Sequence, residues 1–227
     1  MRAKKIETMA GEVAFLFDMD GVIIDSNPFH KISLRQFCQK HGFDLSEDQL
    51  RERIYGRTNK DWIPAVFGQI SGEQVARYAA EKEALFRELY ADSIQPLAGL
   101  LPFLQNLERY GIQRAIATSA PRENVDFTLD KTGIRSFFPI ILDESHVERG
   151  KPDPDIYLKT AAAVGLPPSQ CIVLEDSLSG VESGLAAGCK VVAVSTTHSK
   201  EELQAAHLVI PDFDGIDPLE LIDSVFQ

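Results

Sequence analysis

Residues 13–26 read VAFLFDMDGVIIDS, an apolar run that ends abruptly at two carboxylates followed by a glycine. The run from Val13 to Phe17 predicts a strand that is buried on both faces, as in a parallel sheet. In an open α/β sheet, ligands bind just beyond the carboxyl ends of the strands, where Asp18 and Asp20 are expected to lie. Because two like charges at the end of a buried strand need a compensating cation, this stretch is a candidate active site.

The bulk composition is that of an ordinary globular protein, with 227 residues, of which 44% are hydrophobic and 25% charged. This length suffices for one good core, or for a core domain with a small satellite domain. The 23 basic and 34 acidic residues give a net charge of −11, which disfavours nucleic acid and anionic membranes as partners. No apolar run approaches the ~18 residues that predict a membrane span.

The cysteines indicate a reducing environment. Cys38, Cys171 and Cys189 are an odd number and lack the C-x-x-C spacing. No apolar signal segment opens the chain, and residues 1–11 are expected to form a polar tail. We interpret the three cysteines as small core residues of a cytoplasmic protein. The oligomeric state stays open, with a monomer or a weak homodimer as the expectation.

The chain changes character after its first strand. Residues 28–95 contain no convincing strand, and their apolar residues recur at helical spacing. They predict an all-helical cap domain of about four helices, divided at Gly42, at Gly56 and around residues 68–72. Residues 1–27 and 96–227 then form an α/β core, in which a parallel sheet has helices on both faces. The predicted later strands are 112–118, 139–142, 171–174, 190–194 and 209–210, and the predicted helices 100–110, 122–132, 155–164 and about 178–187.

Polar residues follow the predicted strands, and the carboxyl ends of parallel strands meet at one rim of a sheet. Besides the two aspartates, they include Thr118, Glu175 and Asp176, together with Lys151 in a stretch stiffened by two prolines. Mg²⁺ prefers oxygen ligands and keeps several waters, so two or three carboxylates suffice to bind it. Lys151, the Thr118 hydroxyl and backbone amides are suitable donors to a phosphate. The set therefore predicts a site for a divalent metal and a phosphate.

Four motifs, in this order, resemble those of the haloacid dehalogenase superfamily, in the branch that contains β-phosphoglucomutase and small-molecule phosphatases. They are Asp18-Met19-Asp20-Gly21, Thr118-Ser119, Lys151 and Glu175-Asp176. The match covers nearly the whole chain, including the helical insert. The resemblance implies a Rossmann-like α/β core with a helical cap inserted after the first strand, and a Mg²⁺-dependent phosphoryl-transfer enzyme.

The resemblance also implies roles in catalysis. Asp18 is expected to be the nucleophile that forms an aspartyl-phosphate, which splits one difficult displacement into two easier ones. Asp20 is expected to protonate the leaving oxygen and then to activate the incoming water or hydroxyl. The transferring phosphoryl group is expected to be held by Thr118, Ser119 and Lys151.

For the metal, the resemblance implies the Asp18 carboxylate, the Asp20 backbone carbonyl and Asp176, with Glu175 in support. The acidic pair at 175 and 176 is also suited to cap the following helix, a role compatible with metal binding. An aspartate at position 20 and the metal-binding pair both favour phosphoryl transfer over dehalogenation.

The cap is expected to contact the substrate. His30 falls where β-phosphoglucomutase has a hinge histidine, although many plain phosphatases of this branch have a histidine there as well. In the mutase an arginine three residues after a loop glycine grips the distal phosphate of the substrate. This chain has Asn59 at that position, a departure that weakens the mutase interpretation. Arg57 or Lys60 are candidates to replace the arginine, and Arg122 is a further candidate substrate contact.

We therefore expect a Mg²⁺-dependent phosphatase that acts on a small phosphorylated metabolite, a sugar phosphate or a related compound. A phosphosugar mutase of the β-phosphoglucomutase type is the alternative. A third hypothesis is a catalytically silent metabolite-binding protein, which the filled catalytic positions disfavour. The sequence does not identify the substrate, because many activities share one fold and one catalytic core.

Overall fold

The computed structural model describes residues 11–55 and 57–226. Residues 1–10 of the predicted polar tail and the predicted helix break at Gly56 lie outside the described residues. The chain divides into two compact units. The first, here called the sheet unit, comprises Met1–Asp25 and Ile94–Gln227, and the second, the helical unit, comprises Ser26–Ser93.

The sheet unit contains six parallel strands among its described residues. In chain order they are Ala14–Phe17 (β1), Gln113–Ala117 (β2), Ile140–Leu142 (β3), Cys171–Glu175 (β4), Lys190–Val194 (β5) and Leu208–Ile210 (β6). Their order in the sheet is β3-β2-β1-β4-β5-β6, and every neighbouring pair is parallel. Along the chain, β2 and β3 are added on one side of β1, and β4, β5 and β6 on its other side. The carboxyl end of β1 is therefore the switch point at which ligands bind in such sheets.

Nine α-helices lie in the part of the chain that the structure describes. They are Asn27–Lys40 (α1), Glu47–Arg53 (α2), Asn59–Phe67 (α3), Gly72–Tyr90 (α4), Leu100–Arg109 (α5), Arg122–Thr132 (α6), Asp155–Val164 (α7), Leu178–Ala186 (α8) and Pro218–Val225 (α9). The helices α6 and α7 end at Gly133 and Gly165, which have the left-handed backbone that favours glycine. Within these described residues, no helix combines the length and the apolar character of a membrane span.

Both faces of the sheet are covered, as the uninterrupted apolar run of β1 requires. Successive side chains of a strand point to opposite faces. Leu16 belongs to a buried cluster with Tyr157 of α7 and Val181 of α8. Phe17 instead contacts Phe103 of α5, with ring centroids 6.2 Å apart. The expected parallel sheet with helices on both faces is thus confirmed.

The helical unit has its own core. Phe37 of α1 and Trp62 of α3 meet edge to face in this core, with ring centroids 6.0 Å apart. Ser46 begins α2 with a capping box, because its hydroxyl accepts from the Gln49 N–H while the Gln49 side chain accepts from the Ser46 N–H. Ser71 caps α4 with its hydroxyl, which accepts from the Gln74 N–H. Polar caps and an aromatic core therefore define this unit without any strand among its described residues.

The segments that leave and re-enter the sheet unit are bonded to each other. The chain leaves this unit after Asp25 and returns at Ile94. Ile24 and Pro96 form an isolated antiparallel bridge. In addition, the Leu97 N–H donates to the Ile23 carbonyl at 2.9 Å. The two ends of the inserted segment are thus fixed within the sheet unit itself.

Candidate active site

Asp18 follows directly on β1 and begins a tight turn. Its N–H donates to the Leu174 carbonyl of β4 at 2.9 Å, which continues the backbone ladder by one residue. Gly21 has a φ of 76° in this turn, a conformation that residues with a side chain rarely adopt. The turn leaves Asp18 buried, with 7% exposure, and Asp20 half-buried.

Lys151 connects the ends of three strands. Its Nζ donates to Asp18 Oδ1 at 2.7 Å, to Glu175 Oε1 at 2.6 Å and to the Ala117 carbonyl at 3.3 Å. The ring of Tyr157 lies beneath the ammonium group, 5.0 Å from Nζ. The Lys151 side chain is only 6% exposed. Its charge therefore acts on the buried carboxylates with little competition from water.

Glu175 is held by five donors. Its Oε1 accepts from Lys151 and from the Tyr157 hydroxyl, the latter at 2.9 Å. Its Oε2 accepts from the Asp176 N–H, the Ser177 N–H and the Ser177 hydroxyl, at 2.9 to 3.1 Å. A carboxylate with so many partners is fixed in orientation. Glu175 thus supports the lysine, and its oxygens have less capacity left for a metal than those of its neighbours.

Thr118 lies one residue beyond β2 and is buried, whereas Ser119 is exposed. The Thr118 hydroxyl accepts from the Ala120 N–H at 3.1 Å, which shapes the turn after the strand. Arg122 begins α6, and its half-exposed side chain pairs with Asp126 at 3.1 Å. Because β2 runs parallel to β1, this turn lies at the same rim of the sheet as the catalytic candidates of β1.

Three buried carboxylates form a group that could hold a metal. Asp18, Glu175 and Asp176 each bring one oxygen within 4.8 Å of the others. Burial raises the pKa of Asp18 to about 7 against the opposing charge of Lys151, and the charges of Glu175 and Asp20 add to the rise. Burial and the charges of Glu175 and Asp18 also raise the pKa of Asp176 well above its usual value. Burial opposes the charge of Glu175 as well, but Lys151 holds the pKa of that carboxyl below its usual value.

The charge balance of this group fits a divalent cation. The charges of Glu175 and Asp20 act on the ionisation of both Asp18 and Asp176, and Lys151 is the buried cation beside them. Burial, together with this neighbouring negative charge, keeps the pKa values of Asp18 and Asp176 raised although Lys151 is present, so the lysine does not fully compensate the negative charge. A divalent cation would compensate it, and an all-oxygen donor set suits a hard cation. Since Glu175 is occupied by its five donors, Asp18 and Asp176 are the carboxylates best placed to bind the ion.

The helical unit also contains a polar group, here called the His30 cluster, of His30, Asn59, Lys82 and Glu83. Lys82 Nζ donates to His30 Nδ1 and to Glu83 Oε1, both at 2.9 Å. Asn59 Nδ2 donates to the same Glu83 oxygen at 2.9 Å. The ring of His30 stacks on Phe86, with centroids 3.8 Å apart. Because an ammonium group only donates, Nδ1 of His30 acts as the acceptor in its contact with Lys82.

The other candidate substrate contacts of the helical unit are exposed. Arg57 is exposed, and its guanidinium donates to the Glu52 carbonyl at 3.1 Å. Lys60 is exposed in the first turn of α3. Gly56 of the same loop lies outside the described residues. Both basic side chains therefore differ from Lys82 and Glu83 of the His30 cluster, which are buried.

Sequence reasoning missed Lys82, Glu83 and Tyr157 as parts of these polar groups. Position 82 does carry a signal, because it falls within the apolar stripe of α4 at helical spacing from Tyr78 and Phe86. A charged residue within such a stripe indicates a buried, paired charge. Tyr157 carries no comparable signal, since a tyrosine on the apolar side of α7 is typical of an ordinary core position.

Comparison with known proteins identifies the family. A family model described as haloacid dehalogenase-like hydrolase matches residues 15–194. Hexitol phosphatase A of Escherichia coli is 33% identical over 204 residues, which cover 89% of this chain and 92% of that protein. A phosphorylated carbohydrates phosphatase of Thermotoga maritima is 30% identical over 180 residues, covering 77% of this chain and 81% of the relative.

Solved structures show the same architecture. A family IA, variant 3 hydrolase of Entamoeba histolytica matches with a TM-score of 0.87 and 33% identity, covering 95% of this chain and 100% of that chain. The β-phosphoglucomutase of Clostridium difficile matches with a TM-score of 0.82 and 25% identity, covering 94% of this chain and 97% of that chain.

Together with these matches, the parallel sheet, the helical insertion and the strand-end carboxylates identify an α/β enzyme of the phosphoryl-transfer class. The relatives quoted from E. coli and T. maritima are both named as phosphatases. The chain belongs to the haloacid dehalogenase-like hydrolase family, which confirms the resemblance of its four motifs.

Proposed function

We propose that the protein is a Mg²⁺-dependent phosphatase that hydrolyses a small phosphorylated metabolite, a sugar phosphate or a related compound, through an aspartyl-phosphate. The observation that carries the proposal is the contact of Lys151 with Asp18, beside the buried carboxylate of Asp176. The lysine supports the anionic form of Asp18, which a nucleophile requires. The acidic neighbours supply hard oxygen ligands for a metal at the same place.

The proposed reaction has two steps. In the first, one Asp18 oxygen bonds to phosphorus, the bond from phosphorus to the ester oxygen breaks, and Asp20 donates a proton to the departing oxygen. In the second, Asp20 takes a proton from water as the water oxygen bonds to phosphorus. The bond from phosphorus to Asp18 then breaks, which releases phosphate and restores both carboxyl groups.

The phosphoryl group is proposed to be held by Lys151, Thr118 and Ser119. The turn after β2 offers hydroxyl groups and backbone amides, and Lys151 offers a charge that is already oriented on the nucleophile. Mg²⁺ bound by Asp18, the Asp20 carbonyl and Asp176, with Glu175 in support, would neutralise part of the charge on the phosphoryl oxygens.

The substrate class is proposed from the relatives. The names of the E. coli and T. maritima proteins refer to hexitol and to phosphorylated carbohydrates. We propose that a substrate of similar chemistry is contacted by His30, Arg57, Lys60 and Arg122.

A phosphosugar mutase is the second candidate, and the similarity to the C. difficile β-phosphoglucomutase favours it. Asn59 stands against it. The Nδ2 of Asn59 donates to Glu83, and its Oδ1 accepts from Trp62 Nε1 at 2.9 Å. Both ends of the amide are thus used within the helical unit, and an amide carries no charge to grip a second phosphate.

The test is phosphate release from a panel of phosphorylated metabolites, with Mg²⁺ and with EDTA. We expect turnover of at least one sugar phosphate, its loss in EDTA, and its loss in Asp18→Asn. The control is Asp214→Asn, which changes an exposed aspartate of the same unit and is expected to keep the wild-type rate. Full activity of Asp18→Asn would overturn the proposal. Conversion of β-glucose 1-phosphate to glucose 6-phosphate with a bisphosphate primer would instead identify a mutase.

The proposal includes a cytoplasmic enzyme that acts as a monomer or a weak homodimer, with a small metabolite as its partner. The three cysteines support the location, because each is buried with a free thiol. Light scattering across a concentration series measures the oligomeric state.

A further inference from the structure

Two threonines after β5 contact the two loops that carry the acidic residues. The Thr196 hydroxyl donates to the Gly21 carbonyl at 2.6 Å, in the turn that follows β1. The Thr197 hydroxyl donates to Asp176 Oδ2, in the loop that follows β4. The backbone before them is fixed, since the Ser195 N–H donates to the Ile210 carbonyl of β6 at 2.9 Å. Adjacent residues of one strand end thus hold two different loops.

The two held loops also touch each other. Gly21 has a φ of 76°, and a Cβ at this position would overlap the carboxylate of Asp176. The carboxylate therefore packs directly against the backbone of the β1 turn. The orientation of the Asp176 side chain and the position of the Gly21 peptide are therefore linked by direct contact.

We propose that Thr197 is a positioning residue for the divalent metal, which it influences by fixing the orientation of the Asp176 carboxylate. The inference rests on the proposed function, in which Asp176 is a metal ligand. A hydroxyl that donates to one oxygen of a carboxylate fixes the plane of the group, so the ligand is oriented before the ion arrives. Loss of such outer-shell partners typically weakens metal binding by about 10–100-fold. The Thr196 hydroxyl holds the neighbouring turn in place by donating to the backbone carbonyl of Gly21.

A purely structural role is distinguished by what the substitution changes. Thr197 is exposed, so valine in its place removes the hydroxyl without opening a cavity in the core. If the hydroxyl only stabilised the loop, thermal stability without metal would fall and metal affinity would stay the same. If it positions Asp176, the affinity for the metal falls while the metal-free stability changes little.

The experiment titrates Mg²⁺ alone into the metal-free, full-length protein by isothermal calorimetry, with melting temperatures measured in EDTA. We expect Thr197→Val to raise the Kd for Mg²⁺ by about 10-fold or more, whereas Thr197→Ser, which keeps a hydroxyl, stays within about 2-fold of wild type. Ser199→Ala is the matched control, because Ser199 lies in the same segment and pairs with the exposed Glu202.

The outcomes separate the two proposals. Equal Kd values for wild type and Thr197→Val overturn this inference and leave the proposed function intact. Failure of Thr197→Ser to restore the affinity also overturns it, because the hydroxyl is then not the active group. Absence of Mg²⁺ binding by the wild type overturns the proposed function, and this inference with it.

Discussion

The ammonium group of Lys151 lies 2.7 Å from Asp18 Oδ1, and neither side chain is more than 10% exposed. The two residues are far apart in the chain, and their contact joins the segment before α7 to the end of β1. Because both charges have left water, each depends on the other for compensation. The first prediction follows from this dependence.

Lys151→Met is expected to lower the free energy of unfolding by about 3–5 kcal/mol and to reduce phosphatase activity to background. The reason is that Asp18 and Glu175 then share a buried space without a cation. Lys151→Arg keeps the charge and is expected to lose less stability. Urea denaturation in EDTA measures both variants, and an unchanged midpoint for Lys151→Met would contradict the prediction.

Asp20→Asn is expected to lower kcat for a sugar phosphate by about 10²–10⁴-fold, because the leaving alkoxide no longer receives a proton. p-Nitrophenyl phosphate, whose leaving group needs no proton, is the matched substrate for the first step. A single-turnover measurement should show a much smaller loss with it. An equal loss with both substrates would argue against Asp20 as the acid of the first step.

The pKa of Asp18 predicts how stability depends on pH. This pKa is raised from 3.8 to about 7, mainly by burial, so between these values the folded state holds a proton that the unfolded state releases. The stabilising contribution is therefore complete below about pH 4 and is lost as the pH rises through 7. Asp176 acts in the same direction, and Glu175, whose pKa is lowered, acts in the opposite one.

Melting temperatures from pH 5 to pH 8 test this pH dependence. In EDTA, the wild type is expected to lose stability over this range relative to Asp18→Asn, which has no carboxyl to titrate at this position. Mg²⁺ binds the deprotonated form, so its stabilising effect on the wild type is expected to grow with pH. Parallel curves for the two proteins would rule out the titration of Asp18 as the cause.

Gly180 of α8 presses against Glu175. A Cβ at this position would overlap the Glu175 carboxylate, so Gly180→Ala is expected to displace it and to destabilise the protein by about 1–3 kcal/mol. Gly72 of α4 is the matched control, because no heavy atom lies within 4 Å of a Cβ built there. Gly72→Ala is expected to stabilise by up to about 0.5–1 kcal/mol. Denaturation midpoints that shift in the same direction for Gly180→Ala and Gly72→Ala would contradict this prediction.

In the His30 cluster, Glu83→Leu is expected to cost about 3–5 kcal/mol, since it leaves Lys82 buried without its carboxylate. The double variant Lys82→Met/Glu83→Leu is expected to recover much of this loss, because both charges are then absent. A double-mutant cycle from denaturant unfolding measures the coupling. Additive effects of the two substitutions would mean that the pair does not interact in solution.

Much of the fold could be predicted because local signals agreed with one another. Helices over 122–132 and 155–164 end in glycine, and the structure gives both with these bounds. Several strand bounds differ by one or two residues, as for β1, which begins at Ala14 instead of Val13. Burial continues through Val13, so apolar character alone does not mark where the ladder of hydrogen bonds begins.

The candidate site could be predicted only as far as strand direction determines it. Strand polarity places Asp18, Thr118 and Glu175 at one rim, but the contact of Lys151 with two carboxylates depends on loops distant in sequence. The Thr197 hydroxyl follows a strand and resembles any loop residue until Asp176 is beside it. The catalytic and metal-binding roles of these residues stay predictions that the experiments above address.

The antiparallel bridge between Ile24 and Pro96 has a consequence for protein engineering. This bridge and the Leu97–Ile23 hydrogen bond hold the two ends of the insertion together. Both contacts are made by residues of the sheet unit and by none of the insertion itself. The loop-closure entropy grows only slowly with the length of the segment between such ends. We therefore expect that residues 26–93 can be exchanged for the insertion of a relative, or for a short glycine-serine linker, at a small cost in loop-closure entropy.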